Sequence, residues 1–556
     1  MYVRQISRAN RDGSRVRYLQ LAHKVRDPET GVPRDQILYH FGREDQLDRA
    51  QIERLVRSLS RFLDPEARSR VEGLLPARAA ELEVIRALPF GGAYVLDALW
   101  LRLGIPDTIA GLLRKRAYGT DIERLLFALV ANRALDPASK LALERWVGRR
   151  VAIEGLKAVE AHSLYRAMDF LVEHAEEIQK AVFFSVATLL NLEVDLLFFD
   201  TTSTYFEVEE EDQDEGLRRY GHSKDSRPDL PQVVIGLAVT REGIPVRCWV
   251  LPGNTADASL VARVQEDLAG WKLSRVVWVM DRGFAGEAQR RALQRGGGHV
   301  IIGERLRSAE PAIQEALRRP GRYQRVRDNL EVKQVEVRQG SEVRRFVLVR
   351  NPKEAERDRF KREQAIERLQ SEIDRVNERR TRAAKSHPKA VCALKAHPTL
   401  GRFLLEAPSG ELRINRARVK EEERLDGKYL LSTTDPSLSA EDVALGYKQL
   451  LEVERAFRTL KSTLELRPLY HRLPDRIRAH VLLCWLALLL VRVAEQESGS
   501  TWPAMRDELE EIARVDLNGK DGTLQILSTP TPAQRKILSA LKIDAPKRVR
   551  SAAPPS

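Results

Sequence analysis

The chain has 556 residues, more than one ordinary hydrophobic core can use, so three to five structural units are expected. Its three cysteines, Cys248, Cys392 and Cys484, lie far apart and in no CxxC pairing, which argues against a disulfide framework or a cysteine-based zinc site and for a reducing, cytoplasmic compartment. Lys and Arg outnumber Asp and Glu by 93 to 80, a net charge of +13 that favours a polyanionic partner and a place near the nucleoid but does not by itself specify DNA or RNA.

The opening MYVRQISRANRDG has no apolar signal core, and the longest apolar stretch, VLLCWLALLLV at 481–491, is too short to span a bilayer. It reads as a core helix, and no membrane partner is expected. Residues 1–75 mix short alternating runs with the basic helical segment QIERLVRSLSRFL, a small α+β domain and a candidate for DNA binding. From 76 to 190 the pattern is helical, with capping or turn signals at GTDIERLLFALVANRAL, DPASKLALERWV and AHSLYRAMDFLVEHAEEIQKAVFFSV. This second domain could also touch DNA, although no recognition helix stands out.

Between 191 and 305, LLFFD, QVVIGLAVT, PVRCWVLPG, RVVWVMD and HVIIGE read as strands, with helical segments ASLVARVQEDLAG and GEAQRRALQRG between the later ones. That is a mixed α/β sheet with antiparallel opening strands. Residues 306–435 are irregular and include alternating VEVRQGSEVRRFVLV and a charged helix in which Ile366, Leu369, Ile373 and Val376 fall at heptad spacing, too few for a coiled coil. Strand character returns at DGKYLLSTTD, and helices at 440–466 and about 474–496 fill the block 436–500. Residues 501–556 form a C-terminal segment whose basic tail, APKRVRSAAPPS, reads as disordered. The acidic run EVEEEDQDEG at 207–216 lacks ligand spacing and reads as a solvated hairpin tip. GGG at 296–298 precedes a strand, not a helix, so it is no phosphate loop.

Two apolar runs, LLFFD and VVWVMD, end in Asp200 and Asp281. A carboxylate at the end of a buried strand costs several kcal/mol unless a cation or donor meets it. If the two strands are neighbours, the carboxylates converge, and divalent cations with a taste for oxygen, Mg²⁺ above all, would relieve their repulsion. The DTTST that starts at Asp200 also suggests an aspartyl-phosphate phosphatase, but such enzymes want a second Asp where this chain has Thr202.

On a continuous helix Tyr447, Leu450, Glu454, Arg458 and Lys461 would share a stripe about 80° wide. A phenol, a carboxylate and two cations on one stripe are not a core-facing pattern. Glu465 falls near it too, so geometry alone leaves Glu454 and Glu465 both open as a third carboxylate.

The spacing Tyr447, two residues, Leu450, three residues, Glu454, six residues, Lys461 resembles the Y-(2)-R-(3)-E-(6)-K signature of bacterial insertion-sequence DDE transposases, in the insertion sequence four superfamily. GHSKDSRPDLPQVVIGLAV, LPGNTAD, VMDRGFAGEA and FRTLKSTLELRPLYHR resemble one branch of that group, and the likeness covers about 190–500. The resemblance implies an RNase H-like core with a β-rich and helical insertion before the glutamate helix. It implies Asp200, Asp281 and Glu454 as catalytic and metal-holding residues, which chooses Glu454 over Glu465. It implies two Mg²⁺ ions, with Mn²⁺ able to substitute, activating the attacking oxygen and stabilising the leaving one.

Tyr447 and Lys461 would position DNA phosphates. Leu450 departs from the signature arginine, and Arg458, one turn beyond Glu454, is the candidate to replace its contact. Expected partners are double-stranded DNA, as the element's terminal inverted repeats and as target, and a second copy of the chain on that DNA. A metal nuclease on the same fold without strand transfer, and a non-catalytic transposase-derived DNA-binding protein, are the competing readings.

Overall fold

The computed structural model describes the chain except residues 10–14, 27–31, 65–66, 69–70, 72–82, 115–120, 190–195, 214–215, 257–259, 261–262, 265, 269–270, 272–276, 287–298, 341, 383–387, 520–521 and 554–556. It divides into two units. One comprises Met1–Gly91, Glu510–Arg535 and Asp544–Ser556, the other Gly92–Leu509 and Lys536–Ile543.

The first unit holds two antiparallel sheets. Strands Tyr2–Ala9, Arg15–Arg26 and Pro33–Arg43 form a meander, followed by the helix Arg49–Ser60, whose N-cap Asp48 accepts a hydrogen bond from the Ala50 amide. The second sheet joins Glu83–Pro89 to three strands from the other end of the sequence, Ala513–Gly519, Gly522–Leu527 and Val549–Ala553. The basic tail is therefore not disordered up to Ala553: its alternating Val549–Ala553 pairs with Gly522–Leu527.

In the second unit, helices Ile122–Leu135 and Ala161–Glu173 pack on each other and on a later helix, Pro474–Ser498. That helix is 25 residues long, well beyond the apolar run, and is long and apolar enough to cross a membrane by length and composition. Here it is a core element, with Val481 to Val491 all buried.

The central sheet has nine strands: β1 (Leu196–Tyr205), β2 (Gln232–Val239), β3 (Pro245–Pro252), β4 (Val277–Met280), β5 (His299–Glu304), β6 (Gln324–Arg327), β7 (Leu330–Gln339), β8 (Glu342–Arg350) and β9 (Lys428–Thr433). Their order is β6-β7-β8-β9-β5-β4-β1-β2-β3. β1, β2 and β3 are antiparallel neighbours, while β4 and β5 run parallel to β1. That arrangement, 3-2-1-4-5 with three antiparallel strands first, is the RNase H-like fold. β2 is buried at every position and β1 at nearly every one, which is why these segments read as continuous apolar runs instead of alternating ones.

The insertion is not a separate domain: β6–β9 extend the core sheet. Within it, helix Pro352–Arg382 buries Leu369 and Ile373 against Leu394, Leu400, Phe403 and Leu412, so the heptad-spaced residues build a local cluster within this chain. Of the two helical segments expected between the later strands, most of 258–270 and all of 287–296 lie outside the described residues. Leu260, Val264 and Leu268 are described and buried under the sheet.

One face of the sheet carries Leu197 and Phe199 of β1, Trp278 and Met280 of β4, and Val300 and Ile302 of β5 into a single apolar cluster. Side chains alternate along a strand, so Asp200 and Asp281, one residue further on, belong to the opposite face. Helices α1 (Ala440–Lys448) and α2 (Leu451–Ser462) pack along the sheet there, α1 by β4 and β5 and α2 by β1 and β2. The expected single helix over 440–466 is thus two. Its hydrogen bonds shorten to the i, i+3 type at Gln449 and Leu450, which tightens the chain into a turn before α2 begins. The helix closing the unit is α3 (Pro474–Ser498).

Candidate active site

The β1–β4 register sets Leu196 against Val277 and Phe199 against Met280. Continued one residue, it sets Asp200 beside Asp281 on adjacent parallel strands, which lie about 4.8 Å apart. The convergence expected from the two apolar runs is therefore built into strand pairing.

Each aspartate has a partner from the chain. The Lys224 ammonium lies 3.5 Å from Asp200 Oδ1 and donates to the carbonyl and hydroxyl of Thr201 at 2.6 and 2.7 Å. The Lys224 amide donates to Ser203 Oγ at 2.9 Å. The hydroxyl run after Asp200 thus anchors the loop 222–230, which brings a cation to the carboxylate.

Tyr447, at the end of α1, donates its hydroxyl to Asp281 Oδ1 at 3.2 Å. Burial, then the neighbouring Asp281 charge, raises the phenol well above its ordinary value, so it stays a donor. Its approach depends on Gly303 of β5, where a Cβ would lie only 2.2 Å from the Tyr447 hydroxyl. Sequence reasoning missed Lys224 and Gly303. The signal for the first was a lysine inside the motif GHSKDSRPDLPQVVIGLAV, and for the second a glycine in the middle of an apolar strand, which marks close backbone approach.

Glu454 and Arg458 are exposed on α2, and no ion pair joins them. Glu452 instead pairs with Arg492 of α3 at 2.8 Å and with Arg455 at 2.7 Å. Glu465 lies beyond the end of α2 in a left-handed conformation, φ +43°, off the helix that carries Glu454. Lys461 does not face open solvent: it holds Asp225 at 2.8 Å, and Arg467 holds the other oxygen of the same carboxylate at 3.2 Å. Leu450 is buried, 8% exposed, at the turn between the helices. Among the described residues no three carboxylate, histidine or cysteine side chains come close enough to share an ion. The two aspartates are adjacent by strand register, and Glu454 is exposed on α2, which packs by β1 and β2.

The acidic run is tied down. Asp212 accepts from the Arg218 amide at 3.0 Å and from its guanidinium, and Glu211 lies 3.8 Å from Arg219. Two of its residues, 214 and 215, are outside the described set.

Comparison with known proteins places these features. The Transposase DDE domain family matches residues 203–490, more than half of the chain. The N-terminal domain of the IS1634 family transposases matches residues 3–69, the meander and its helix. No curated protein matches. Among solved structures, a cryo-EM piggyBac transposase synaptic complex with hairpin DNA is similar at 11% identity, covering 76% of this chain and 79% of that one, with a TM-score of 0.35. A Mos1 transposase paired-end complex with the left transposon end shows 11% identity over 33% of this chain and 59% of that one, TM-score 0.14. A Mos1 mariner paired-end complex with Mn shows 11% identity over 46% and 77%, TM-score 0.13. From the domain match over more than half its length and the strand order of its central sheet, the chain belongs to the DDE transposases of bacterial insertion sequences.

Proposed function

We propose that this transposase cuts DNA at the ends of its element and joins the freed 3′-OH to target DNA, at a site made by Asp200, Asp281 and Glu454. The observation that carries this reading is the register of the neighbouring parallel strands β1 and β4, whose paired residues run up to Asp200 and Asp281, with α2, the bearer of Glu454, packed by β1 and β2. An all-oxygen carboxylate set suits Mg²⁺, and when bound the divalent ions would activate the attacking oxygen and stabilise the leaving one.

Asp200 and Asp281 would hold the ions from the sheet and Glu454 from α2. Tyr447 orients Asp281 by its hydrogen bond. Lys224, beside Asp200, offsets carboxylate repulsion and presents a positive charge where a phosphate would enter. Arg458, exposed one turn beyond Glu454, has its guanidinium fork free for a phosphate. Lys461 acts through Asp225, fixing the loop that carries Lys224. A second copy of the chain would hold the second end.

The test supplies Mg²⁺, a labelled element end and a plasmid target. Asp200→Asn, Asp281→Asn and Glu454→Gln should each lose cleavage by a factor of about a hundred or more while keeping end binding, because the amide keeps shape and loses charge. Normal cleavage by Glu454→Gln would remove that residue from the site. Cutting without joining in the native protein would reduce it to a nuclease. Binding alone would reduce it to a DNA-binding protein.

A further inference from the structure

The turn at 137–141 and the segment 465–471 that follows α2 enclose a cavity of about 450 Å³. Arg133, Lys140, Glu465, Tyr470, His471 and His480 are among the residues that line it. Lys140 and Arg133 are 5% and 4% exposed, and neither makes an ion pair with a carboxylate among the described residues. Glu465, at the cavity wall, hydrogen-bonds Arg133 only through its backbone carbonyl, at 3.4 Å, and keeps its side chain exposed.

The local hydrogen bonds leave the cations under-used. Arg133 is committed to the carbonyls of Ala138 and Glu465 and to the side chain of Asn132 at 3.1 Å. Lys140 Nζ lies 2.8 Å from His480 Nδ1, and His480 Nε2 lies 3.3 Å from the Leu466 carbonyl. An Nε2–H donated to that carbonyl leaves Nδ1 as the acceptor for the ammonium. One of three ammonium donors is thereby met. Asp136 and Glu465 act on Arg133 only from beyond ion-pair distance, and buried cations so incompletely compensated are costly, a cost that an anion in the cavity would lower. His471 and His480 supply no charge to oppose this, since burial keeps both neutral, His471 with its pKa lowered to about 4. At the mouth, Tyr470 is 78% exposed, an aromatic ring open to solvent.

We propose that this cavity is a phosphoryl-binding site, separate from the carboxylate centre, in which Lys140 donates to the phosphate oxygens, Arg133 supplies charge and Tyr470 receives the attached sugar or base. Its assignment to a DNA strand rests on the transposase reading. The phosphoryl chemistry itself does not.

The experiment uses the full chain. Inorganic phosphate should raise the melting temperature of the native protein above a chloride control of equal ionic strength, following mass action, and should not do so for Lys140→Met. With sulfate, a tetrahedral anion that does not titrate near pH 7, the native protein should also take up protons on binding, read by calorimetry in two buffers of different ionisation enthalpy. No phosphate response in the native protein, or equal responses in both proteins, overturns the site. If Lys140→Met folds poorly, the native response to phosphate over chloride decides alone: its absence overturns the proposal.

The source is read from duplex DNA. The slope of log affinity against log salt should fall by about 0.9 in Lys140→Met if one DNA phosphate is lost, and Tyr470→Ala should weaken DNA binding but not phosphate binding. An unchanged slope with a lost phosphate response assigns the cavity to free phosphate instead.

Discussion

Two side chains test the site one contact at a time. Tyr447→Phe removes the hydroxyl that meets Asp281 without changing the buried ring, so cleavage should fall about tenfold with stability nearly unchanged, as a hydrogen bond to a charged group is worth about 1.5–3 kcal/mol. Gly303→Ala places a methyl where that hydroxyl sits and should give the same loss through a different atom. Equal cleavage by Gly303→Ala and the native chain would mean that Tyr447 need not touch Asp281 at all. Lys140 makes a separate, pH-dependent prediction. Burial first, then the neighbouring Arg133 charge, takes its pKa from 10.5 down to about 7, with His471, His480 and Cys484 facing it as uncharged groups. Between those values the unfolded chain binds a proton that the folded chain does not, so folding stability rises with pH across pH 7–10.5 and is lost as pH falls through 7. Lys140→Met should remove up to about 1.4 kcal/mol per pH unit from that slope, measured by denaturant unfolding at several pH values. An unchanged slope would mean that Lys140 keeps its charge in the folded protein.

At the scale of elements, α2 carries two glutamates two residues apart in different surroundings, Glu452 paired and Glu454 exposed. Glu452 reaches Arg492 of α3, which also donates to the carbonyl of Gly243 at 3.3 Å, so helix, helix and β2–β3 turn are joined through one guanidinium. Gly243 has φ +77°, and a Cβ there would lie 2.5 Å from Arg492 and 2.9 Å from Glu452. Glu452→Gln should therefore cost roughly 1–3 kcal/mol of stability, as breaking a partly buried pair does. Glu454→Gln, exposed, should leave the unfolding midpoint unmoved and lose cleavage. Equal stability losses would show that Glu454 also packs. The strands that carry the aspartates were legible because a buried run ending in a charge is a strong local anomaly. The motif spacing located α2 but not the turn at Gln449–Leu450, since helical residues continue through it and only the hydrogen-bond length changes. Long-range partners were the illegible part. Lys461 is a candidate phosphate contact from its helix alone, and only the folded loop 222–230 shows that Asp225 also meets it. Leu450 departs from the signature, and its burial at the turn was not legible from the spacing. Likewise nothing local in VEVRQGSEVRRFVLV told that its strands would join the core sheet.

At the scale of the molecule, the first unit is made from both ends of the sequence. Among the described residues Glu83–Pro89 has one strand neighbour, Ala513–Gly519, and Arg86 meets Asp516 at 2.6 Å across that pairing. A fragment of residues 1–190, the natural first choice for isolating end recognition, would strip this strand of its partner and expose an unpaired edge prone to aggregation. A chain ended after Leu509 should do the same, and limited proteolysis should cut it near residues 83–89 while the native chain resists there. End recognition is therefore measured on the whole chain. With a net charge of +13, its binding to an element-end duplex should be driven by phosphate contacts and counterion release. Contact with six to ten phosphates predicts a loss of about 10³–10⁵ in affinity between 50 and 200 mM salt. A loss of less than about tenfold over that interval would limit the contacts to about two phosphates. The positive charge would then serve something other than holding DNA, and recognition would have to come from base edges alone.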